Sequence, residues 1–203
     1  AASDVYKRQR QLSKARRSAA KNLTQQVQKQ LTALSMKAAK LEAQLGECAP
    51  GADGLEDVEF LFSANPGQPL KALGKVASGG ELSRVSLAIQ VICARNLTVP
   101  SLVFDEVDVG VGGGVAEIVG RLLRELGSHA PVLGITHQPQ VASQGHQHWQ
   151  VHKIQGDDTT HTRIQGLDDN ARIEELARML GGVEITESTR THAREMLSKA
   201  QAA

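Results

Sequence analysis

A strand–helix–strand pattern in the middle of the chain constrains its fold more than any other feature. The apolar run LVF at residues 102–104 is followed by a helical pattern from Val115 to Leu126 and by a second apolar run, PVLGIT, at residues 131–136. Short links between such elements are typical of a βαβ crossover, in which the two strands lie parallel. We therefore predict an α/β fold with a parallel sheet flanked by helices.

The N-terminal part of the chain has a different character, because no Gly or Pro interrupts it from Arg10 to Leu45 and apolar residues recur every three or four positions. The stripe consists of Leu12, Ala15, Ala19, Leu23, Val27, Leu31, Leu34, Ala38, Leu41 and Leu45. This spacing predicts one long amphipathic helix over residues 10–46. Since its length exceeds what a small core needs, we interpret it as an arm from an antiparallel coiled coil. Residues 1–9 contain DVYKRQ, which a common sequencing-adaptor sequence would encode, and are interpreted as a non-native scar.

Charge is unevenly distributed, although the 23 basic and 22 acidic residues nearly cancel. The ten basic residues between Lys7 and Lys40 have no acidic residue among them. This segment could contact a nucleic-acid backbone, or it could be a solvated helix face, and both alternatives stay open. Aromatic residues make up only 2% of the chain, which argues against a base-stacking platform.

Other bulk features exclude several classes of protein. No apolar run approaches the length of a membrane span, and the N-terminus lacks the apolar core of a signal peptide, so we expect a cytoplasmic protein. Cys48 and Cys93 are isolated and indicate neither a disulfide framework nor a zinc site.

Further elements are predicted on both sides of the crossover. GECAPGADG at residues 46–54 indicates a loop, and DVEFLFSAN, which follows it, indicates a strand. Apolar periodicity predicts a buried helix from Glu81 to about Asn96. HWQVHKIQ and THTRIQ flank a turn as a hairpin, and two helices, Asn170 to Leu180 and Thr186 to Ala200, end the chain.

Three acidic residues, Asp105, Glu106 and Asp108, follow the first strand of the crossover. If that strand is buried, ionised carboxylates at its end cost several kcal/mol unless a cation or hydrogen-bond donors compensate them. An apolar run followed by Asp-Glu is also the Walker B pattern, in which carboxylates serve Mg²⁺ and a hydrolytic water. The alternative is a pair of capping acids on a loop.

Two other groups of residues suggest binding of an anion. Ser78, Gly79 and Gly80 open the predicted buried helix, where unpaired N–H groups and the helix dipole favour an anion, although SGG is also an ordinary helix cap. His137 ends the second strand of the crossover and could therefore reach the same phosphate as Glu106. A lone histidine can also be purely structural.

These motifs together resemble a known family. SGGELS is similar to the signature motif of ATP-binding-cassette ATPases, LVFDEVD to their Walker B motif and D-loop, and ITHQPQVAS to their histidine switch. The longer strings around them, together with ARIEELARMLGG and TESTRTHAREML, resemble a family of bacterial DNA repair proteins related to the structural maintenance of chromosomes (SMC) proteins. The resemblance runs from about Leu12 to the C-terminus.

The resemblance implies a role for each matching residue. Ser78, Gly79, Gly80 and Glu81 form the signature that closes over the γ-phosphate of ATP bound to a second head. Asp105 serves Mg²⁺ through water, Glu106 is the catalytic carboxylate, Asp108 is the D-loop residue at the contact between heads, and His137 is the switch. The implied cofactors are ATP and Mg²⁺, and the implied partners are DNA and a second copy joined through the heads. The implied process is repair of double-strand breaks by recombination.

One departure from the family pattern concerns the phosphate-binding loop. The chain has no G-x-x-x-x-G-K-[ST] motif, since its one Gly-Lys pair, Gly74-Lys75, is followed by Val76. In the family this loop belongs to the N-terminal half, on the far side of the coiled coil. We therefore interpret residues 47–203 as the C-terminal half of an ATPase head, and we expect this chain alone neither to bind ATP tightly nor to hydrolyse it.

Two rival hypotheses belong to other functional classes. The chain could be a non-enzymatic DNA-tethering or partner-binding module that acts through Arg16, Arg17 and Lys21. Alternatively, residues His146, His148 and His152 would share one face of an extended strand and could bind a metal ion, although a polar strand face is the simpler explanation for them.

Overall fold

The computed structural model describes residues 2–75, 79–94, 99–155, 160–181 and 184–202. The chain forms two compact units, Ala1–Thr98 and Val99–Ala203. In the described part of the chain, no helix has both the length and the apolar character needed to cross a membrane.

The first unit combines two helices with a three-stranded sheet. Its elements are α1 (Ala2–Ala33), β1 (Lys40–Gly51), β2 (Gly54–Ser63), β3 (Lys71–Ala72), a 3-10 turn (Leu73–Lys75) and α2 (Gly79–Cys93). The sheet is antiparallel in the order β1-β2-β3. Helix α1 packs against α2, β1 and β2, and it buries Val27 and Leu31 completely. Most of the predicted strand DVEFLFSAN lies in β2, which ends at Ser63, and the predicted buried helix is α2.

The arm helix is shorter than the sequence pattern predicts. Helix α1 ends at Ala33, and Ser35 then takes a left-handed conformation with φ 61°. From Lys40 the chain is a strand, and Leu41 of β1 lies opposite Phe62 of β2. The prediction of a helix over residues 10–46 is therefore wrong beyond Ala33, because pairing with β2 recruits the following residues into the sheet. The loop predicted at residues 46–54 is likewise wrong, since β1 continues to Gly51 and only the link to Gly54 is a turn.

A buried carboxylate fixes α1 on the sheet. The Glu56 side chain on β2 is only 2% exposed, and its Oε1 accepts a hydrogen bond from the Ser13 hydroxyl of α1. Arg16 Nη1 lies 3.8 Å from Glu56 Oε2, and Arg17 Nη2 lies 3.9 Å from Oε1. Because Ser13 lies one turn before Arg16 and Arg17, these contacts hold the helix in one register against β2. We call Ser13, Arg16, Arg17 and Glu56 the Glu56 joint.

The second unit contains the predicted crossover. Its elements are β4 (Leu102–Phe104), α3 (Gly113–Gly127), β5 (Val132–Gly134), α4 (Pro139–Ala142), β6 (Trp149–Gln155), β7 (Thr160–Gly166), α5 (Asp169–Gly181) and α6 (Glu187–Ala202). Strands β4 and β5 are parallel, with Phe104 opposite Gly134, and β6 and β7 form an antiparallel hairpin. The crossover, the hairpin and the two terminal helices are thus confirmed.

Helices α3, α4, α5 and α6 build the core of the second unit. Ala142 of α4 packs with Leu176 and Ala177 of α5 and with Ala193 and Leu197 of α6. Helix α3 approaches the α4 segment closely, because a Cβ on Gly120 would lie 3.1 Å from the Cα of Val141.

Two arginines hold the chain where it leaves α4. Arg124 of α3 donates to the Gln144 carbonyl at 2.9 Å. Arg172 of α5 donates to the carbonyls of Gly145 at 2.7 Å and His146 at 3.3 Å. Carbonyls near a helix C-terminus favour such cationic donors, so α4 is anchored from two sides.

Candidate functional site at the carboxyl ends of β4 and β5

Polar side chains gather at the carboxyl ends of the two parallel strands. The Ile135 N–H donates to the Phe104 carbonyl at 2.9 Å, so the pairing of β4 with β5 extends to the last residue before the acidic stretch. Asp105 and Glu106 follow β4, and Thr136 and His137 follow β5. The carboxyl edge of a parallel sheet is where open α/β folds bind ligands.

Asp105 and Glu106 both point outward at this edge. Each is exposed, and the Glu106 N–H donates to Asp105 Oδ1 at 2.9 Å. Glu106 has φ 56°, a left-handed conformation that non-glycine residues rarely adopt. Such a conformation costs on the order of 1–3 kcal/mol and tends to occur at functional sites, where it aims a side chain.

Burial does not explain Asp105 and Glu106 at the end of β4. Strand β4 is not buried on both faces, since Val103 is 64% exposed, and Asp105 and Glu106 are exposed rather than buried. Burial therefore does not require a cation beside them. Asp108 is the acid that the argument fits, because it is only 1% exposed and needs a donor.

That donor is Thr136, whose hydroxyl donates to Asp108 Oδ2. Asp108 thus makes a contact inside its own unit, whereas the resemblance implied a contact with a second head. Its bond ties the loop after β4 to the residue just before His137. Sequence reasoning missed Thr136, because the two residues are 28 positions apart and only the pairing of β4 with β5 brings them together.

Gln138 is a second residue that sequence reasoning missed. Its backbone N–H donates to Thr136 Oγ1 at 2.9 Å, and its side-chain Nε2 donates to the Val111 carbonyl at 2.9 Å. Gln138 also immediately precedes the first turn of α4. The polar residues on both sides of His137 in ITHQP were the only sequence signal for this arrangement. Together, Asp108, Thr136 and Gln138 fix the two loops that carry Glu106 and His137.

The exposed carboxylates of Asp105 and Glu106 fit a hydrated Mg²⁺ ion. Mg²⁺ keeps several waters and takes one or two protein carboxylates together with phosphate oxygens, and Asp105 and Glu106 supply such oxygens at one strand end. Within the ranges that the structure describes, no three His, Cys, Asp or Glu side chains are grouped closely enough to enclose a metal ion. The three-histidine hypothesis is therefore not supported. Strand β6 begins only at Trp149, after His146 and His148.

The signature residues lie in the first unit. Gly79 and Gly80 are the first residues of α2, as predicted, and Glu81 lies in its first turn. Gly79 is exposed and Gly80 is buried. Ser78 lies outside the described residues.

Comparison with solved structures defines the type of fold. The chain superposes on the SMC head domain with a coiled coil and joint from Pyrococcus yayanosii with a TM-score of 0.55, at 18% identity, over 80% of this chain and 29% of that one. An SMC head domain from Pyrococcus furiosus, bound to the C-terminal domain of ScpA, gives a TM-score of 0.53 at 18% identity, over 81% of this chain and 39% of that one. The fold is therefore that of part of an SMC head domain.

Sequence comparison then finds relatives at much higher identity. The chain is 50% identical over 188 residues to the DNA repair protein RecN of Vibrio cholerae, which covers 92% of this chain and 34% of that protein. It is 53% identical over 152 residues to RecN of Xylella fastidiosa strain Temecula1 (75% of this chain, 27% of that protein) and 38% identical over 213 residues to RecN of Bacillus subtilis (97% and 37%). No protein-family model matches the chain. The chain is RecN-like over most of its length, and it spans about a third of the length of these relatives.

Proposed function

We propose that the chain is the C-terminal part of an ATPase head in a RecN-like protein that acts in DNA double-strand break repair and recombination. In this proposal ATP is hydrolysed between two dimerised heads. The similarity to RecN proteins over 92% of the chain and the SMC-type fold support it. The single observation that carries it is the edge of β4 and β5, where two exposed carboxylates and an exposed imidazole follow adjacent parallel strands.

In this proposal Asp105 holds Mg²⁺ through its water shell, and Glu106 is the second carboxylate beside it. When bound, the ion neutralises charge that develops on the transferred phosphoryl group. Asp105 accepts the Glu106 N–H at 2.9 Å, so the position of its carboxylate is coupled to the backbone of its neighbour. Exposure of both carboxylates leaves them accessible to a ligand.

Glu106 is the proposed general base. Its carboxylate orients the attacking water and accepts a proton from it, a role that typically contributes 10²- to 10⁴-fold in rate. The left-handed backbone aims this side chain, and the bond between Asp108 and Thr136 holds the loop that carries it. His137, on the other tethered loop, donates an imidazole N–H to the γ-phosphate.

The first unit contributes the signature. Gly79, Gly80 and Glu81, with Ser78, contact the ATP bound to the second copy, where the amides at the start of α2 face its γ-phosphate. Asp108 keeps the D-loop position that the resemblance implies, and its bond to Thr136 shapes that loop. DNA, a second head and an N-terminal segment that carries the phosphate loop are the proposed partners, and the bacterial cytoplasm, in association with the nucleoid, is the proposed location.

Complementation tests the proposal directly. The purified chain is mixed with a phosphate-loop-bearing N-terminal segment of Vibrio cholerae RecN, a relative 50% identical to this chain, and phosphate release is measured with Mg²⁺ and ATP. We expect turnover only in the mixture, and a loss of at least 10²-fold for Glu106→Gln. Glu117→Gln removes one exposed carboxylate from α3 and is the matched control, which should retain activity.

Two outcomes would contradict the proposal. Turnover by the chain alone that disappears with Glu106→Gln would show that the phosphate loop is not needed. Equal activity of Glu106→Gln and Glu117→Gln in the mixture would remove Glu106 from the chemistry.

A further inference from the structure

One exposed edge of α1 carries a row of cations. Arg10, Lys14 and Lys21 are all exposed, and we call these three residues the α1 basic stripe. At 3.6 residues per turn their positions fall within about 40° of one another around the helix, and at 1.5 Å per residue they span about 16 Å along it. Residues four and seven apart on a helix lie on the same side, so the stripe is a continuous surface feature.

Few acidic residues accompany the cations of α1. Helix α1 contains eight basic residues and one acidic residue, Asp4. Among the residues that the structure describes, no carboxylate lies within 4.0 Å of the charged group of Arg10, Lys14 or Lys21. A solvated helix face is usually stabilised by acid–base pairs one turn apart, and the stripe has none.

The structure also separates the stripe from the neighbouring cations. Arg16 is half-buried and, like Arg17, is directed at Glu56 in the Glu56 joint. Of the three residues in the DNA-tethering hypothesis, Arg16 and Arg17 therefore pair with Glu56 inside the unit, and Lys21 is the one left to contact DNA. Arg10 lies with its guanidinium 5.4 Å from the centre of the Tyr6 ring, a contact that leaves its charge in place.

We propose that the α1 basic stripe binds the phosphate backbone of duplex DNA. This inference rests on the proposed function in DNA repair and adds a contact surface to it. A row of unpaired cations about 16 Å long matches a polyanion with one phosphate per 3.4 Å along each strand. A membrane surface fits less well, because the apolar side of α1, with Val27 and Leu31, is buried in the unit and cannot enter a bilayer. The contact carries no sequence specificity, since phosphates carry none.

The stripe borders a groove at Lys21. A groove between α1 and β1 is lined by Arg17, Lys21 and Glu42, among others. Because the Glu42 carboxylate repels a phosphate, the DNA strand follows the crest of α1 through Arg10, Lys14 and Lys21.

Salt-dependent binding tests the surface. Anisotropy of a fluorescein-labelled 30-base-pair duplex is measured with the purified chain, without nucleotide, between about 50 and 200 mM NaCl. Three phosphate contacts predict a slope of log K against log salt of about −2.7, which is roughly a 40-fold loss of affinity across that range. The triple variant Arg10→Gln, Lys14→Gln, Lys21→Gln should flatten the slope by about 2.7 and weaken binding at the lowest salt at least 10-fold.

The matched control changes the same net charge elsewhere in the first unit. Lys37→Gln, Lys40→Gln, Lys71→Gln removes three exposed cations that lie after α1. It should keep the slope of the unchanged chain. Far-UV circular dichroism checks that both triple variants retain their helices, and the double variant Lys14→Gln, Lys21→Gln should lose about two thirds of the slope.

Three results would overturn the proposal: no salt-dependent binding by the unchanged chain, equal weakening in both triple variants, or equal competition by poly-glutamate at the same charge concentration. The last would assign the surface to acidic proteins in general. Glu106→Gln leaves the stripe intact and should bind DNA as the unchanged chain does. Failed complementation with normal DNA binding would therefore count against the proposed ATPase function alone, and a lost salt slope with normal turnover would count against the stripe alone.

Discussion

Removal of the carboxylate in the Glu56 joint should loosen α1 from the sheet. Glu56→Ala leaves the Ser13 hydroxyl without its acceptor and the half-buried Arg16 guanidinium without its nearest anion. Glu56→Gln keeps the shape and an oxygen that can still accept from Ser13, but it removes the charge. The two variants therefore separate the hydrogen bond from the ion pairs.

The contacts set the size of the effect. Loss of one partner of a buried pair costs about 3–5 kcal/mol when the geometry is good. Here the two N···O distances are 3.8 and 3.9 Å, and the Arg17 side chain is 66% exposed, so its pair contributes little. The hydrogen bond from Ser13 contributes about 1–2 kcal/mol. We therefore expect a loss of about 2–3 kcal/mol for Glu56→Ala and about 1 kcal/mol for Glu56→Gln.

Urea unfolding followed by far-UV circular dichroism measures the loss of unfolding free energy, and hydrogen exchange shows which helices lose protection. Amides of α1 should exchange faster in Glu56→Ala, while those of α5 and α6 in the second unit should not change. Glu59→Ala on the same strand removes an exposed carboxylate and should alter the free energy of unfolding by less than about 0.5 kcal/mol. If Glu56→Ala behaves like Glu59→Ala, or if protection is lost equally in both units, the joint does not hold the helix.

Three further changes test the second unit by urea unfolding. Gly120→Ala should cost about 1–3 kcal/mol of stability, because the new Cβ would lie 2.7 Å from the Gln144 side chain and 3.1 Å from the Val141 Cα. Gly114→Ala, in the same helix, places its Cβ where no atom lies within 4 Å, and it should be neutral or stabilising. Thr136→Val should cost about 2–3 kcal/mol, since it leaves the buried Asp108 carboxylate without the hydroxyl that donates to it, and a change below about 0.5 kcal/mol would contradict that contact. Burial lowers the pKa of His148, so the unfolded state binds its proton more readily. The stability that depends on neutral His148 should be complete above the ordinary histidine pKa of about 6.5. Below that pH the free energy of unfolding should fall by at most about 1.4 kcal/mol per pH unit, and this pH dependence should shrink in His148→Phe.

The second unit was largely predictable from its sequence because its patterns are local. The apolar runs at residues 102–104 and 131–136 are strands, and the helical spacing between them is α3. Short links of this kind allow few arrangements other than a parallel crossover, so the sequence also indicated which residues share the carboxyl edge. Glu106 and His137 could therefore be assigned to neighbouring loops from the sequence alone.

The end of α1 could not be predicted in the same way. Leu41 and Leu45 are four residues apart, as in a helix, but with Ala43 they also alternate with Lys40 and Glu42, as in a strand. The choice between the two periods is made by β2, whose residues pair with this segment across a turn. A local pattern that satisfies both periods is decided by tertiary pairing.

The hydrogen bonds that fix the loops of the candidate site could not be predicted from the sequence, for a related reason. The resemblance implied only that Asp108 lies at a contact between two heads, and its neighbours in sequence, Asp105 and Glu106, are exposed. The structure buries Asp108 alone, and its donor Thr136 comes from the neighbouring strand. Glu56 shows the same behaviour, since its partner Ser13 is 43 residues away. A charge whose partner is distant in sequence gives no local sign that it is buried.

The outer side of the β4–β5 pair has a practical consequence for every measurement on this chain. Val103, Leu133 and Ile135 are largely exposed, and parallel sheets are ordinarily covered on both sides. Apolar strands left open to water attract copies of themselves, so concentrated solutions of the chain should self-associate. Titrations and kinetic assays are therefore best run as dilution series, with light scattering alongside, so that clustering is not mistaken for cooperative binding.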